Sequence, residues 1–217
     1  MLLYYITDRN SFTGADSDRR SELLRCIAAA ARAGVDYIQL REKDLDPADL
    51  ELLAREALRR IRDNSSTTML LINTHTEVAL DVGADGVHLP ANAPSVASIR
   101  TQWFERAQQR PVLGVSTHSL QDVMRADQDR VSFAVLAPIF EKVATGASGI
   151  GLEALREACA VSRIPILALG GVRLGNARSC LEAGAAGIAG IRLFQENAVH
   201  QTVEALRWLE RHVSSVS

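Results

Sequence analysis

The sequence is poor in several things, and each shortage excludes a class. Only three of its 217 residues are cysteine, Cys26, Cys159 and Cys180, and none forms a C-x-x-C pair. Zinc sites and disulfide frameworks need closely spaced or paired cysteines, so neither is expected, and the odd count points to a reducing compartment. The three read as small buried hydrophobes. There is no excess of positive charge: 24 lysines and arginines against 26 aspartates and glutamates leave a net charge of −2. A general nucleic-acid binder shows a strongly basic face, so no such partner is expected and any phosphate must be held by a local site. No apolar run approaches the roughly 20 residues of a membrane span. The start, MLLYYITDRN, lacks a basic leader and a cleavage site, so it does not read as a signal peptide, and the expected location is the cytoplasm. No Pro/Gly/Ser-rich linker divides the chain, which argues for a single domain over 1–217. With 47% hydrophobic residues the chain can bury a sizeable core.

What the chain does have is alternation. Apolar runs of strand length predict strands at Leu2–Ile6, Tyr37–Leu40, Met69–Ile72, Gly86–Leu89, Val112–Val115, Phe133–Leu136, Ile166–Leu169 and Ala186–Gly190. Amphipathic stretches between them predict helices near Ser17–Ala33, Pro47–Asp63, Thr76–Val82, Ser95–Ala107, Leu120–Gln128, Leu152–Val161, Leu174–Ala183 and Asn197–His212. Regular β/α alternation implies a parallel sheet. A phrase also repeats: AGVDYI at 33–38, VGADGV at 82–87 and AGAAGI at 183–188. Each reads as a helix end, a glycine cap and a buried strand. Eight such units predict an α/β fold, a single (β/α)8 TIM barrel. The alternative is an open doubly wound sheet, but no G-x-G-x-x-G follows the first strand.

Barrel chemistry sits where the strands end. After the second strand come Arg41, Glu42, Lys43 and Asp44; after the third, Asn73, Thr74 and His75. His88 lies near the end of the fourth strand, and Ser116 and His118 follow the fifth. Lys142 follows the sixth, Gly170 and Gly171 the seventh, and Arg192 the eighth. Cations, amides, hydroxyls and few carboxylates suit an anion. The Gly170-Gly171 turn exposes backbone N–H groups to a phosphate or is only a tight turn. Arg192 is placed to add a bidentate contact. Arg41 and Lys43, spaced by two, share a face with Gln39, inside the barrel, if the strand continues through them; they hold a second anion or join a salt-bridged rim with Glu42 and Asp44. Glu42 and Asp44 themselves are read as rim structure. His118 is an acid/base group or a helix cap bound to backbone. His75 reads as rim, and His200 and His212 as surface. No His/Asp/Glu set has metal-ligand spacing, and the oligomeric state is open, with a homodimer among the options.

The marks YYITDRN, QLREKD, LLIN, GADGVHLP, LGVSTHS, APIF and ALGGV followed by AGAAGIAGI resemble thiamine-phosphate synthase and its relative, the thiazole tautomerase, over nearly the whole chain. The resemblance implies a (β/α)8 barrel. For the synthase it implies coupling of hydroxymethylpyrimidine pyrophosphate to a thiazole phosphate carboxylate. Gln39, Arg41, Lys43, Asn73 and Ser116 would hold the pyrophosphate, with His88 and Lys142 as further substrate contacts. Gly170, Gly171 and the strand-eight loop, with Arg192, would hold the thiazole phosphate.

The chain departs from the synthase pattern. Thr74 stands where an aspartate follows the strand-three asparagine, and Pro90-Ala91-Asn92-Ala93 stands for a run with a second aspartate. Those aspartates hold magnesium in the synthase, so magnesium is expected here only if this chain is one. In the strand-six loop the resemblance implies P-I-F-x-T-x-T-K, and the chain reads Pro138-Ile139-Phe140-Glu141-Lys142-Val143-Ala144-Thr145. The tautomerase branch also lacks the metal aspartates and has a proline at the place of Pro90. It moves a proton within the thiazole phosphate carboxylate, with a histidine matching His118. The resulting expectation is a metal-independent, tautomerase-like enzyme of thiamine biosynthesis with phosphorylated thiazole, and pyrimidine in the synthase case, as ligands. The alternatives are a divergent synthase and a non-catalytic phosphate-ligand sensor.

Overall fold

A strand buried on both faces needs consecutive apolar residues, and a crossover helix must bury one stripe against it. In the computed structural model, which describes residues 1–93, 95–141 and 148–213, the apolar runs become β1 (Leu2–Ile6), β2 (Tyr37–Leu40), β3 (Met69–Asn73), β4 (Gly86–Leu89), β5 (Val112–Thr117), β6 (Phe133–Leu136), β7 (Ile166–Ala168) and β8 (Gly187–Gly190). Between and after them lie α1 (Asp16–Ala33), α2 (Pro47–Arg62), α3 (Thr76–Val82), α4 (Val96–Ala107), α5 (Leu120–Gln128), α6 (Gly151–Val161), α7 (Leu174–Glu182), α8 (Arg192–Gln195) and α9 (Val199–Val213). The strands pair in chain order, β1 through β8 and back to β1, as a closed barrel with parallel neighbours. The expected TIM barrel is therefore the fold, and the open sheet is excluded. None of the described helices is long and apolar enough to cross a membrane.

Alternation along each strand divides the core in two. Tyr4, Ile6, Leu71, Phe133, Val135, Leu167 and Ala189 fill the barrel, while Leu3, Tyr5, Ile38, Ile72 and their like pack outward on the helices. The repeated phrase does what its sequence implies. Gly34, Gly83 and Gly184 follow α1, α3 and α7 at φ of 85°, 71° and 97°, a conformation in which a Cβ is costly. In the first two copies an aspartate comes next. Asp36 Oδ2 accepts from Leu3 N and Asp85 Oδ2 from Leu70 N, both at 2.7 Å, and each is paired with an arginine, Arg207 and Arg62. Each of these two copies thus stops a helix and pins the start of the neighbouring strand, which puts Asp85 at the end of the barrel away from the mouth. The third copy has Ala186 there and lacks this tie.

The structure differs from the sequence expectation at several ends. Ser116 and Thr117 belong to β5, because they pair with Val135 and Leu136 and Thr117 Oγ1 donates to Val135 O. The short α8 and a 3-10 turn at Arg9–Ser11 were not expected; one turn is too short to show a period. The cysteines are free; Cys180 is buried as expected, whereas Cys26 and Cys159 are only half-buried, and burial pushes Cys159 to about 11 and Cys180 to about 12.

One glycine makes room inside the barrel. A Cβ on Gly114 would lie 2.7 Å from both His88 Nδ1 and the Phe133 ring. Gly114→Ala should cost ~1–3 kcal/mol by overpacking. Gly175→Ala in α7, where a Cβ meets nothing within 4 Å, should be neutral to stabilising. Equilibrium denaturation of the two variants checks this, and equal stabilities would remove the steric reading.

Candidate functional site

The site begins inside the barrel. Tyr4, Gln39 and His88 point inward from β1, β2 and β4, and all three are buried. Gln39 Nε2 donates to Tyr4 Oη at 2.7 Å. Tyr4 Oη lies 3.1 Å from His88 Nδ1, and His88 Nε2 lies 2.9 Å from Ser116 Oγ. An amide nitrogen only donates, so the phenol accepts from Gln39 and spends its own proton on His88 Nδ1. His88 Nε2 then carries the ring proton and donates to Ser116. The Ser116 hydroxyl proton is left for a group above it, at the mouth.

His88 thus lies beneath Ser116 with both ring nitrogens on protein groups. Burial, and then the positive charge of Arg41, hold its imidazole down at about 3. The unfolded ring protonates near 6.5, so the unfolded state takes up the proton first as pH falls. Stability contributed by the neutral ring is present above about 6.5 and is lost toward pH 3, at up to ~1.4 kcal/mol per pH unit. Chemical denaturation at stepped pH should show this slope in the wild type and its loss in His88→Gln; an unchanged slope in the variant would assign it elsewhere.

Around the rim, Arg41 and Lys43 form no ion pair among the described residues, and Arg41 is near enough to His88 to weaken its protonation. The salt-bridged rim exists, but its cation is Arg9, which the sequence reading did not single out. Arg9 Nη1 contacts Glu42 Oε2 at 3.3 Å, and its two terminal nitrogens take Asp44 at 2.6 and 2.9 Å. Arg9 holds Asp44 at about 2. Burial, the largest influence on Glu42, keeps that carboxyl above its ordinary value against donors from Thr7 and Arg9. The available signal was position: Arg9 follows β1, which neighbours β2, so the two strand-end loops meet.

Asn73 ends β3 half-buried, and Thr74 beside it is exposed with φ of 61°. His118 is exposed. Its Nδ1 lies 2.8 Å from Ala137 O and must donate there, while its backbone N–H goes to Asp122. Of the two sequence readings of His118, the structure bears out the bond to backbone, while the side-chain cap of α5 is Ser119; in the neutral ring that bond leaves the lone pair on Nε2. Gly170 and Gly171 have φ of 94° and 67°, and a Cβ on either would lie within 2.7 Å of Pro138 or Phe140. The turn is needed for packing against the strand-six loop, which is bonded through Ile139 N to Leu169 O and Phe140 N to Gly170 O. Among the described residues, the N–H groups of Gly170, Gly171 and Val172 have no protein acceptor. Arg192 opens α8 and is exposed. Lys142 lies outside the described residues.

A magnesium site needs free carboxylates. Thr74 and Asn92 are neutral, Glu42 and Asp44 are bound to Arg9, and Asp122 accepts from His118 N and is capped into α5. Among the described residues no three His, Cys, Asp or Glu side chains converge. At the two places where the resemblance puts the metal-binding aspartates, the residues present, Thr74 and the run Pro90-Ala91-Asn92-Ala93, do not fit that metal.

Comparison with known proteins supports the family that the motifs resemble, and the relatives compared carry synthase names rather than tautomerase names. The family model described as thiamine monophosphate synthase matches residues 3–194. A protein of Aquifex aeolicus, named for thiamine-phosphate synthase, is 36% identical over 197 residues, 89% of this chain and 97% of its own length. The thiamine-phosphate synthase of Roseiflexus sp. is 34% identical over 191 residues, 87% and 75% of the two chains. The solved thiamine phosphate pyrophosphorylase of Pyrococcus furiosus superposes with a TM-score of 0.79 at 27% identity, over 98% of this chain and 96% of that one. A 3-hexulose-6-phosphate synthase, at 18% identity and a TM-score of 0.70, shares the fold. With its barrel closed and its strand ends carrying the family's motifs, the chain belongs to the thiamine monophosphate synthase family.

Proposed function

We propose that this enzyme of thiamine biosynthesis moves a proton within a thiazole phosphate carboxylate, without a metal, with His118 as the acid/base. The observation that carries the reading is the His118 Nδ1 contact with Ala137 O, 2.8 Å long. It leaves Nε2 as a base at the barrel mouth. Nε2 accepts a proton from one position of the thiazole and the imidazolium returns it to another, so no proton or electron is consumed. The substrate has two anionic ends. The free N–H groups of Gly170, Gly171 and Val172 suit its phosphate, with Arg192 beside them, and Arg41 and Lys43 suit its carboxylate. His118→Ala should lower turnover by ~10²–10⁴ while calorimetry still detects the thiazole phosphate ligand, and chelators should change neither. Full activity in the variant would take His118 out of the reaction.

A second reading is supported by the unpaired Arg41 and Lys43 and by the synthase names of the relatives. In it the two cations and the oriented Ser116 hydroxyl hold the pyrophosphate of a pyrimidine substrate, with Gln39 and Asn73 nearby. The cations would carry the leaving-group charge electrostatically. The thiazole phosphate would occupy the same glycine turn. Thiamine phosphate formed from both substrates would establish this reading, and no product under any divalent metal would eliminate it.

A further inference from the structure

The loop after β2 carries its charges in strict alternation: Arg41, Glu42, Lys43, Asp44. Left to itself, such a run pairs with itself, and neither cation would be available to a ligand. The fold prevents this from outside the loop. Glu42 Oε1 accepts from Thr7 Oγ1 at 2.5 Å, and its Oε2 accepts from Arg9 N at 3.0 Å and Arg9 Nη1 at 3.3 Å. Asp44 is gripped by both terminal nitrogens of Arg9, and Arg9 Nε binds Asp16, which Arg20 holds in turn. Arg9 is 3% exposed and Glu42 5%, so the Arg9–Glu42 contact is shielded from water and salt, while Asp44 is held at the half-exposed rim. Arg41 is tied only through its backbone, N–H to Thr7 Oγ1 at 2.9 Å, and its guanidinium stays uncommitted among the described residues. A depression of about 240 Å³ opens here, lined by Asp8, Asn10, Arg41, Glu42, Lys43 and Asp44.

We infer that Arg9 is a positioning residue: by binding Glu42 and Asp44 it keeps these carboxylates off Arg41 and Lys43 and leaves both cations to an anion at the barrel mouth. The inference rests on the proposal that this mouth takes an anionic substrate. A guanidinium is required, because one ammonium cannot serve Asp44 in bidentate fashion and reach Glu42 and Asp16 as well.

The test is calorimetric titration with inorganic diphosphate, with thermal unfolding to confirm the fold of each variant. Arg9→Met should weaken binding by about tenfold or more, because freed carboxylates compete for the two cations. Arg9→Met combined with Asp44→Asn should recover most of the affinity, and Asp44→Asn alone should bind as the wild type does. If Arg9→Met does not fold, Arg9→Lys with and without Asp44→Asn makes the same comparison. Unchanged binding in the single Arg9 variant, or no recovery on removing the Asp44 charge, overturns the inference, since a purely structural Arg9 would not be rescued by a charge removed elsewhere. A wild type that binds no diphosphate also overturns it. Turnover of the thiazole phosphate carboxylate is scored separately, so failure of the proposed reaction leaves the binding result standing.

Discussion

A polar group placed inside a barrel must be satisfied there, and the mouth of this barrel depends on how that is done. The chain from Gln39 through Tyr4 and His88 to Ser116 carries polarity upward through an otherwise apolar interior. Each link fixes the next, so a single amide at Gln39 determines which way the Ser116 hydroxyl faces. The cost is a histidine that must stay neutral, and a glycine at 114 that leaves space for its ring beside Phe133. A conventional aliphatic interior would be simpler to pack, but it would present no oriented donor at the end of β5.

The second network runs around the rim and joins the first through β1. Thr7 receives Arg41 N and donates to Glu42, while its own N–H reaches Gln39 O. One short segment, 4–9, therefore sets the interior chain through Tyr4 and the loop charges through Thr7 and Arg9. On the other side, the turn at Gly170-Gly171 is joined to the strand-six loop by main-chain bonds and by contacts that exclude any Cβ. The same backbone shape that allows this packing leaves the N–H groups of Gly170 and Gly171 without a protein acceptor among the described residues.

Much of this was legible from the sequence because it is periodic. The β/α alternation and the three glycine-capped phrases define the barrel and its two ends, and spacing by two puts Gln39 inside. What was not legible depends on neighbours remote in the chain. Arg9 and Asp44 are 35 positions apart, and only the adjacency of β1 and β2 brings them together. Tyr4 read as one more apolar strand residue, though its hydroxyl is the link between Gln39 and His88. His88 looked like a ligand contact, being a histidine near a strand end, yet whether it faces water or the interior is decided by its register with Gly114 on β5. The β5 terminus was misjudged for a similar reason: polar side chains suggested a loop, while pairing with β6 extends the strand.

Thr74 adopts a backbone shape that its own side chain does not favour. A β-branched residue at φ of 61° is strained, and Asn or Gly would sit there more easily. The conformation is held by bonds that do not involve the side chain, Thr74 N to His88 O at 2.9 Å and His75 N to Asn73 O at 2.8 Å. The Thr74 hydroxyl, which could have faced a ligand, instead donates to Asn73 O at 2.7 Å. By resemblance this is where a synthase presents a metal-binding aspartate. The side chain this chain carries there is neutral and turned to the adjoining backbone. With the carboxylates of the β2 loop held by Arg9, the cations Arg41 and Lys43 stand beside Asp8 in the depression without an ion pair among the described residues.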